Sequence, residues 1–198
     1  MGRLFGPQIG PYILLTAPLT DYIMFRTIKS ISMQRWPWML LALSAALLES
    51  FALYMQHAQG VEPCNECIYI RVGVLAIAAA GLLGAVAPRA QVLRWSALAL
   101  WLSGLGWSLY RAKLLLNLEQ KVREGAEASC ARFKGFPEWI PLERWLPNMF
   151  EPRAMCGSVS WTFLNQSITF WIWTALLGMT LAAILALLAQ LRHVGSDS

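Results

Sequence analysis

Cys64 and Cys67 stand in the stretch Pro63-Cys64-Asn65-Glu66-Cys67-Ile68-Tyr69-Ile70-Arg71, where one apolar run has ended and another begins. The C-x-x-C spacing suits a small, strained disulfide or two thiolate ligands to one metal ion. Cys67 falls in the first turn of the helix that the next apolar run predicts. There the unpaired backbone N–H groups and the helix dipole stabilise a thiolate. Arg71 lies four residues on and shares a helix face with Cys67. A permanent cation one turn from a thiol, at the edge of an apolar span, calls for an anionic or electron-rich neighbour. Two further cysteines, Cys130 and Cys156, lie far apart in a long polar segment.

Four cysteines in this pattern have three chemistries open to them: structural bridging, zinc binding and electron transfer through reversible disulfides. Four-thiolate zinc sites usually take two close pairs, and here only one pair is close, with no histidine cluster beside it. No metal is therefore expected. A bridge between Cys130 and Cys156 would close a long loop and serve as an ordinary staple. A Cys64–Cys67 bridge would close a ring of four residues and constrain little, which favours redox chemistry there. None of the four sits inside an apolar run, and an even number outside such runs suits an oxidising compartment.

The elements that hold these residues belong to a membrane. The chain has 198 residues, of which 57% are hydrophobic and 14% charged, with ten tryptophans. That length suits one domain, and that apolar content points to the bilayer. The net charge of +5 is spread along the chain, and no run alternates bases with aromatics, so a nucleic-acid partner is not expected. Four apolar runs read as spans: Trp38–Gln56, Ile68–Val86, Trp95–Leu116 and Ile168–Leu191. The first is long enough as a helix to cover about 28 Å, close to the hydrocarbon thickness. Glu49 is its one acidic residue and is expected to face the bundle interior, protonated or hydrogen-bonded. His57 is expected to be interfacial and solvated, and Arg111 and Lys113 to snorkel to the interface. Small residues at Ala76, Ala80 and Gly84, at Ser103, Gly104 and Gly106, and at Gly178, Ala182 and Ala186 let helices approach closely.

The expected fold is an all-α membrane protein: a four-helix transmembrane bundle with a long outer loop carrying a short interfacial helix. That helix is placed in Phe136–Pro147, with Trp139, Leu142 and Trp145 dipping into the headgroup layer. Residues 1–35 read as an N-terminal cytoplasmic or interfacial extension, with Asp21–Lys29 as a short interfacial helix and Met33 as an alternative start. No small-residue cleavage site follows an h-region there, so no signal peptide is expected. Residues 36–192 form the four-helix domain, with outer loops 58–67 and 117–167, and 193–198 form a cytoplasmic tail. Four spans put both termini on one side with Arg3, Arg26, Lys29, Arg35, Arg89, Arg94 and Arg192, against Asp21 and Asp197. The long loop balances six bases with six acids, and the short Gln59–Glu66 loop has no base. Termini in the cytoplasm and all four cysteines outside is the arrangement this favours.

Pro63-Cys64-x-x-Cys67-Ile68-Tyr69-x-Arg71 resembles the signature of the DsbB family, bacterial inner-membrane proteins that reoxidise the periplasmic thiol oxidase DsbA. The resemblance runs from about Trp36 to Leu191. It takes in Gln56-His57, Ala87-Pro88, the Phe136-Pro137-Glu138-Trp139 block, Cys130 and Cys156 with their separation, and Trp161-x-Phe163-Leu164. It implies a multi-pass inner-membrane protein with periplasmic cysteines and a defined electron path. Cys130 would be attacked by the DsbA thiolate, with Cys156 as its partner. Electrons would then pass to Cys64–Cys67, where Cys67 would face ubiquinone, or menaquinone without oxygen, and form a thiolate–quinone adduct. Arg71 would stabilise that thiolate and the quinone's developing negative charge. DsbA is unusually oxidising, at roughly −120 mV, so few thiol partners take its electrons downhill, and a quinone supplies the drive.

The chain departs from the family pattern in three places. Asn117–Gln120 lacks the histidine that well-known members carry early in the long loop. Ile168-Thr169 replaces a Met-Pro before the fourth span, and Ile70 stands where an acid is common. Two other readings compete with a DsbA-serving oxidase. One is a DsbI-type paralogue serving a dedicated thiol oxidase. The other is a non-catalytic membrane scaffold with stapled loops.

Overall fold

The computed structural model describes residues 27–126, 135–159 and 161–191. The extension through residue 26, Cys130 and the expected tail lie outside the described residues. Residues 27–32 are helical (α1). Three long helices follow, α2 (Arg35–Ala58), α3 (Asn65–Val86) and α4 (Gln91–Arg123). Two single turns, α5 (Leu142–Trp145) and α6 (Pro147–Phe150), precede a small hairpin of β1 (Thr162–Phe163) and β2 (Gln166–Ser167). The last helix is α7 (Ile168–Leu191).

By length and composition α2, α3 and α7 can each cross a membrane. They expose Leu40, Leu43, Leu47, Leu82, Leu181 and Leu188, side chains that water would reject and acyl chains accept. The fourth long helix, α4, has 33 residues and carries Arg94, Arg111, Lys113, Glu119, Lys121 and Arg123, a charge load the other three lack. Helix α3 is central, packed on both α2 and α4, and α7 packs on α4. Close approach of α3 and α4 depends on Gly73 and Gly104. A Cβ on Gly104 would stand 2.8 Å from the Gly73 carbonyl, and one on Gly73 would collide with the Ser108 hydroxyl.

Four expectations need correction. The long loop does not begin at 117, because α4 runs on to Arg123. Leu115 is buried there and Leu118 packs on the core, so the helix gains a face to bury by continuing. The fold is not purely α-helical: a hairpin precedes α7, its turn made by Leu164 (φ 50°) and Asn165 (φ 61°). Both central residues at positive φ give a turn whose twist matches paired strands, and Asn tolerates that conformation well. The helix expected in Phe136–Pro147 is only the single turn α5, and a second turn, α6, starts at Pro147 and lies beyond the block. Arg111 does not reach outward; it is held among aromatic rings, as described below.

The ends of the helices divide the molecule. The C-terminal ends of α2 and α4, the N-terminal ends of α3 and α7, and the turn α6 gather at one end. At the other, the Trp38 indole donates to the Ser32 carbonyl at 2.9 Å and Gln190 donates to the Ser32 hydroxyl at 2.7 Å, so α1 ties α2 to α7.

Candidate functional site

Cys64 is the N-cap of α3, in extended backbone, and its Sγ accepts the Cys67 amide at 3.3 Å. A sulfur thus does the work that a serine or aspartate oxygen does at most helix starts. The two sulfurs are 2.7 Å apart and both residues are free thiols. Cys64 is buried and Cys67 half-buried. The hydrogen bond to the Cys67 sulfur, reinforced by burial, holds the Cys64 thiol far above the ordinary cysteine range.

Arg71 is buried one turn deeper in α3, 6% exposed. Its Nη1 donates to Gln56 Oε1 and to the Met149 carbonyl, both at 2.8 Å. Gln56 in turn donates from Nε2 to the Asn148 carbonyl at 2.8 Å. The guanidinium thereby joins α2, α3 and α6. Its Nε is 3.6 Å from Glu49 Oε1, an ion pair but not a hydrogen bond, and Glu49 Oε1 has no hydrogen-bond partner among the described residues. A buried cation with a carboxylate and two carbonyl-type acceptors is a satisfied charge, which meets the sequence requirement for an anionic neighbour. Glu49 faces inward, as expected. His57 stays exposed, its Nδ1 2.9 Å from the Leu53 carbonyl.

Two hollows meet at Cys67. The first encloses about 660 Å³, part of it open to the surroundings, and is walled mainly by apolar side chains from α2, α3, α4 and α7. Its polar groups include Glu49, Arg71 and Thr169. The second, about 420 Å³, is a more polar cleft lined by Cys64, Cys67, Glu119, Gly157, Ser158 and Thr169 among others. Cys67 and Thr169 line both, whereas Cys64 lines the cleft alone.

Cys156 is buried and disulfide-bonded, and its turn forms one side of the cleft. Gly157 follows at φ +85°, and a Cβ there would meet Val122 Cγ2 at 2.7 Å and the Leu118 carbonyl at 3.2 Å. Glycine is needed both for the left-handed backbone and for the close approach to α4. The Pro63 carbonyl accepts from the Arg153 amide at 2.9 Å and the Ala154 amide at 3.1 Å. The residue before Cys64 is thus tied to the segment leading into Cys156. The structure brings Cys64, Cys67, Arg71 and the Cys156 turn to one end of the helices.

Sequence reasoning gave no site role to Gln56, Glu119 or Thr169. Glu119 is buried, and Thr169 Oγ1 donates to its Oε1 at 2.6 Å across the α4–α7 contact. They come from two of the three segments singled out in the sequence, 117–120 and 168–169, which meet in this hydrogen bond. Glu119 was discernible from its register, since Leu115, Leu118, Glu119 and Val122 repeat at helical spacing. A second cation stiffens the same helix start. Arg111 Nη1 lies 3.3 Å from Glu66 Oε2, and its guanidinium sits 4.4 Å from the Tyr69 ring centre and 4.5 Å from that of Trp107. Stacking on two rings explains why Arg111 stays inside instead of snorkelling.

A family model described as "Disulfide bond formation protein DsbB" matches residues 34–187. Among curated proteins, the chain is 42% identical over 149 residues to Disulfide bond formation protein B of Aeromonas hydrophila, covering 75% of this chain and 85% of the relative. It is 42% identical over 135 residues to Disulfide bond formation protein B 2 of Pseudomonas aeruginosa, covering 68% and 79%. Disulfide bond formation protein B of Shewanella denitrificans is 39% identical over 155 residues, covering 78% and 87%.

Proposed function

Because the chain belongs to the DsbB family of disulfide bond formation proteins, we propose that this membrane protein is a dithiol:quinone oxidoreductase that reoxidises a DsbA-like periplasmic thiol oxidase. The partner exchanges with Cys130–Cys156, and the electrons pass through Cys64–Cys67 to membrane quinone. The observation that carries this reading is the position of Cys67 on both the polar cleft beside the Cys156 turn and the apolar cavity that holds Arg71. One sulfur thus meets a disulfide-bearing loop on one side and a lipid-like pocket on the other.

The cavity fits a quinone by its chemistry. Leu48, Ala52, Ile70, Val74, Leu115 and Ile172 give apolar walls, and Glu49 Oε1, without a hydrogen bond among the described residues, is an acceptor for the hydroxyl of the quinol product. Ubiquinone, or menaquinone without oxygen, supplies a two-electron acceptor there. Arg71 provides a fixed positive charge beside the growing negative charge, already oriented by Gln56 and Met149, so it need not reorganise during the step. Cys67, and not Cys64, lines this cavity, which makes it the sulfur that engages the oxidant. Disulfide exchange needs the two pairs to approach each other, and the Pro63 carbonyl ties the segment before Cys64 to the one before Cys156.

In this reading α4 is a fourth span of a transmembrane bundle in the bacterial inner membrane. The termini are cytoplasmic, and the cysteine end is periplasmic with the exposed Trp139 and Trp145 in the headgroup layer. The test is reduction of ubiquinone-1 by purified protein in nanodiscs, with a reduced DsbA-like oxidase as donor. Wild type turns over and Cys64→Ser or Cys67→Ser does not; full turnover by either variant would point to a stapled scaffold.

A further inference from the structure

Closing the Cys64–Cys67 disulfide breaks two S–H bonds and forms one S–S bond, with loss of two electrons and two protons. On the reading above, a quinone-class oxidant in the cavity takes up both electrons and both protons and becomes a quinol. Cys67 lines that cavity, so its proton is released where it is needed. Cys64 lines only the cleft, so its proton is released away from the oxidant. A route must carry that proton from one hollow to the other.

We propose that Glu119 and Thr169 form this route, a two-residue proton relay from Cys64 in the cleft to the oxidant in the apolar cavity. Glu119 is a buried carboxylate lining the cleft with Cys64, and it lies within electrostatic reach of Cys67. Thr169 is buried, lines both hollows, and holds Glu119 Oε1 at 2.6 Å. The Glu119 carboxylate accepts the Cys64 proton, the Cys64 electron pair forms the bond to the Cys67 sulfur, and two electrons leave Cys67 for the oxidant. Protonated Glu119 then donates to Thr169 Oγ1 as Thr169 passes its own hydrogen to the reduced oxidant in the cavity. Glu119 returns to carboxylate and the balance closes.

Other titratable and charged groups face the same space. Glu62 lines both hollows but is exposed on the loop before α3. Glu49 lines the cavity only, paired with Arg71, so it cannot reach the Cys64 proton from the cleft. Glu119 combines burial, access to Cys64 and a hydrogen-bonded hydroxyl that crosses between the hollows.

The relay rests on the proposed quinone reaction, and two measurements separate their failures. In the first, reduced protein in nanodiscs is mixed with ubiquinone-1 and disulfide closure is followed across pH. Glu119→Gln keeps an oxygen for Thr169 to bond but cannot carry a proton. Closure is expected to slow on the order of 100-fold at neutral pH, with the deficit shrinking as hydroxide replaces the carboxylate. Thr169→Val slows it as well, and Thr169→Ser restores it. The second measurement needs no quinone: exchange of the Cys64 S–H for S–D in reduced Cys67→Ser protein, read from the infrared S–H band, slows in Glu119→Gln. A wild type that fails to reduce ubiquinone-1 overturns both readings. A competent wild type, with variants that keep its pH profile and its S–H exchange rate, overturns the relay alone.

Discussion

The Arg71 guanidinium and the Gln56 amide meet at 2.8 Å, both buried, and the same amide reaches on to the Asn148 carbonyl. One glutamine side chain therefore fixes the cation of α3 against two other elements. Gln56→Ala removes an acceptor from a charged donor and a donor from a backbone carbonyl. The expected cost is about 1–3 kcal/mol of stability, with a raised KM for quinone and unchanged thiol exchange at the loop cysteines. Thermal unfolding and a quinone titration check it; wild-type values in both would remove Gln56 from the site.

Arg71→Ala goes further, because it strands Glu49 with no cation beside it and frees the Met149 carbonyl. Breaking a buried pair from one side costs about 3–5 kcal/mol when the remaining group stays charged. Quinone affinity is expected to fall while Cys130 still reacts with the partner oxidase. Arg71→Lys should recover little, since one ammonium cannot hold the geometry of Nη1 and Nε together. Quinone dependence like that of wild type in Arg71→Ala would place the charge outside the site.

Cys64 keeps its proton well past the usual thiol range, so alkylation of the reduced protein should find Cys67 first. Mass spectrometry after brief treatment with iodoacetamide at pH about 8.5, the ordinary cysteine value, is expected to show Cys67 labelled ahead of Cys64. Equal labelling of both would mean the proton is shared. In Cys64→Ala with bound quinone, the freed Cys67 sulfur should give a visible absorption band, and a colourless sample would count against contact between that sulfur and the ring.

Gly157→Val forces a β-branched side chain into left-handed backbone and against Val122. Strain of this kind costs on the order of 1–3 kcal/mol. The turn bearing Cys156 should lose its seat on α4, and exchange between the two cysteine pairs should slow while quinone affinity holds. Gly157→Ala is expected to show the same direction at smaller size. Stopped-flow exchange kinetics on both variants tests the ordering.

Much of this was legible from local rules. The placement of Cys67 at a helix start and of Arg71 on its face follows from spacing, and the bounds of α7 match the apolar run residue for residue. Glu49 was readable as inward-facing because a lone acid in an apolar run has nowhere else to go. What stayed hidden depends on partners distant in sequence. Thr169 and Glu119 are separated by 50 residues, and Arg71 and Met149 by 78. The extension of α4 was missed because its charges masked an apolar stripe, Leu115–Leu118–Val122, that tertiary packing rewards. The hairpin turned on Leu164 and Asn165, and leucine gives no warning of positive φ.

Pro63 has no amide hydrogen, so its carbonyl is its whole stake in the backbone network, and two amides share it. Carrying the Cys156 segment away from Cys64 means releasing both at once, about 1–3 kcal/mol together. One oxygen atom is thus the latch between the two loops, and both of its bonds must give way when they part.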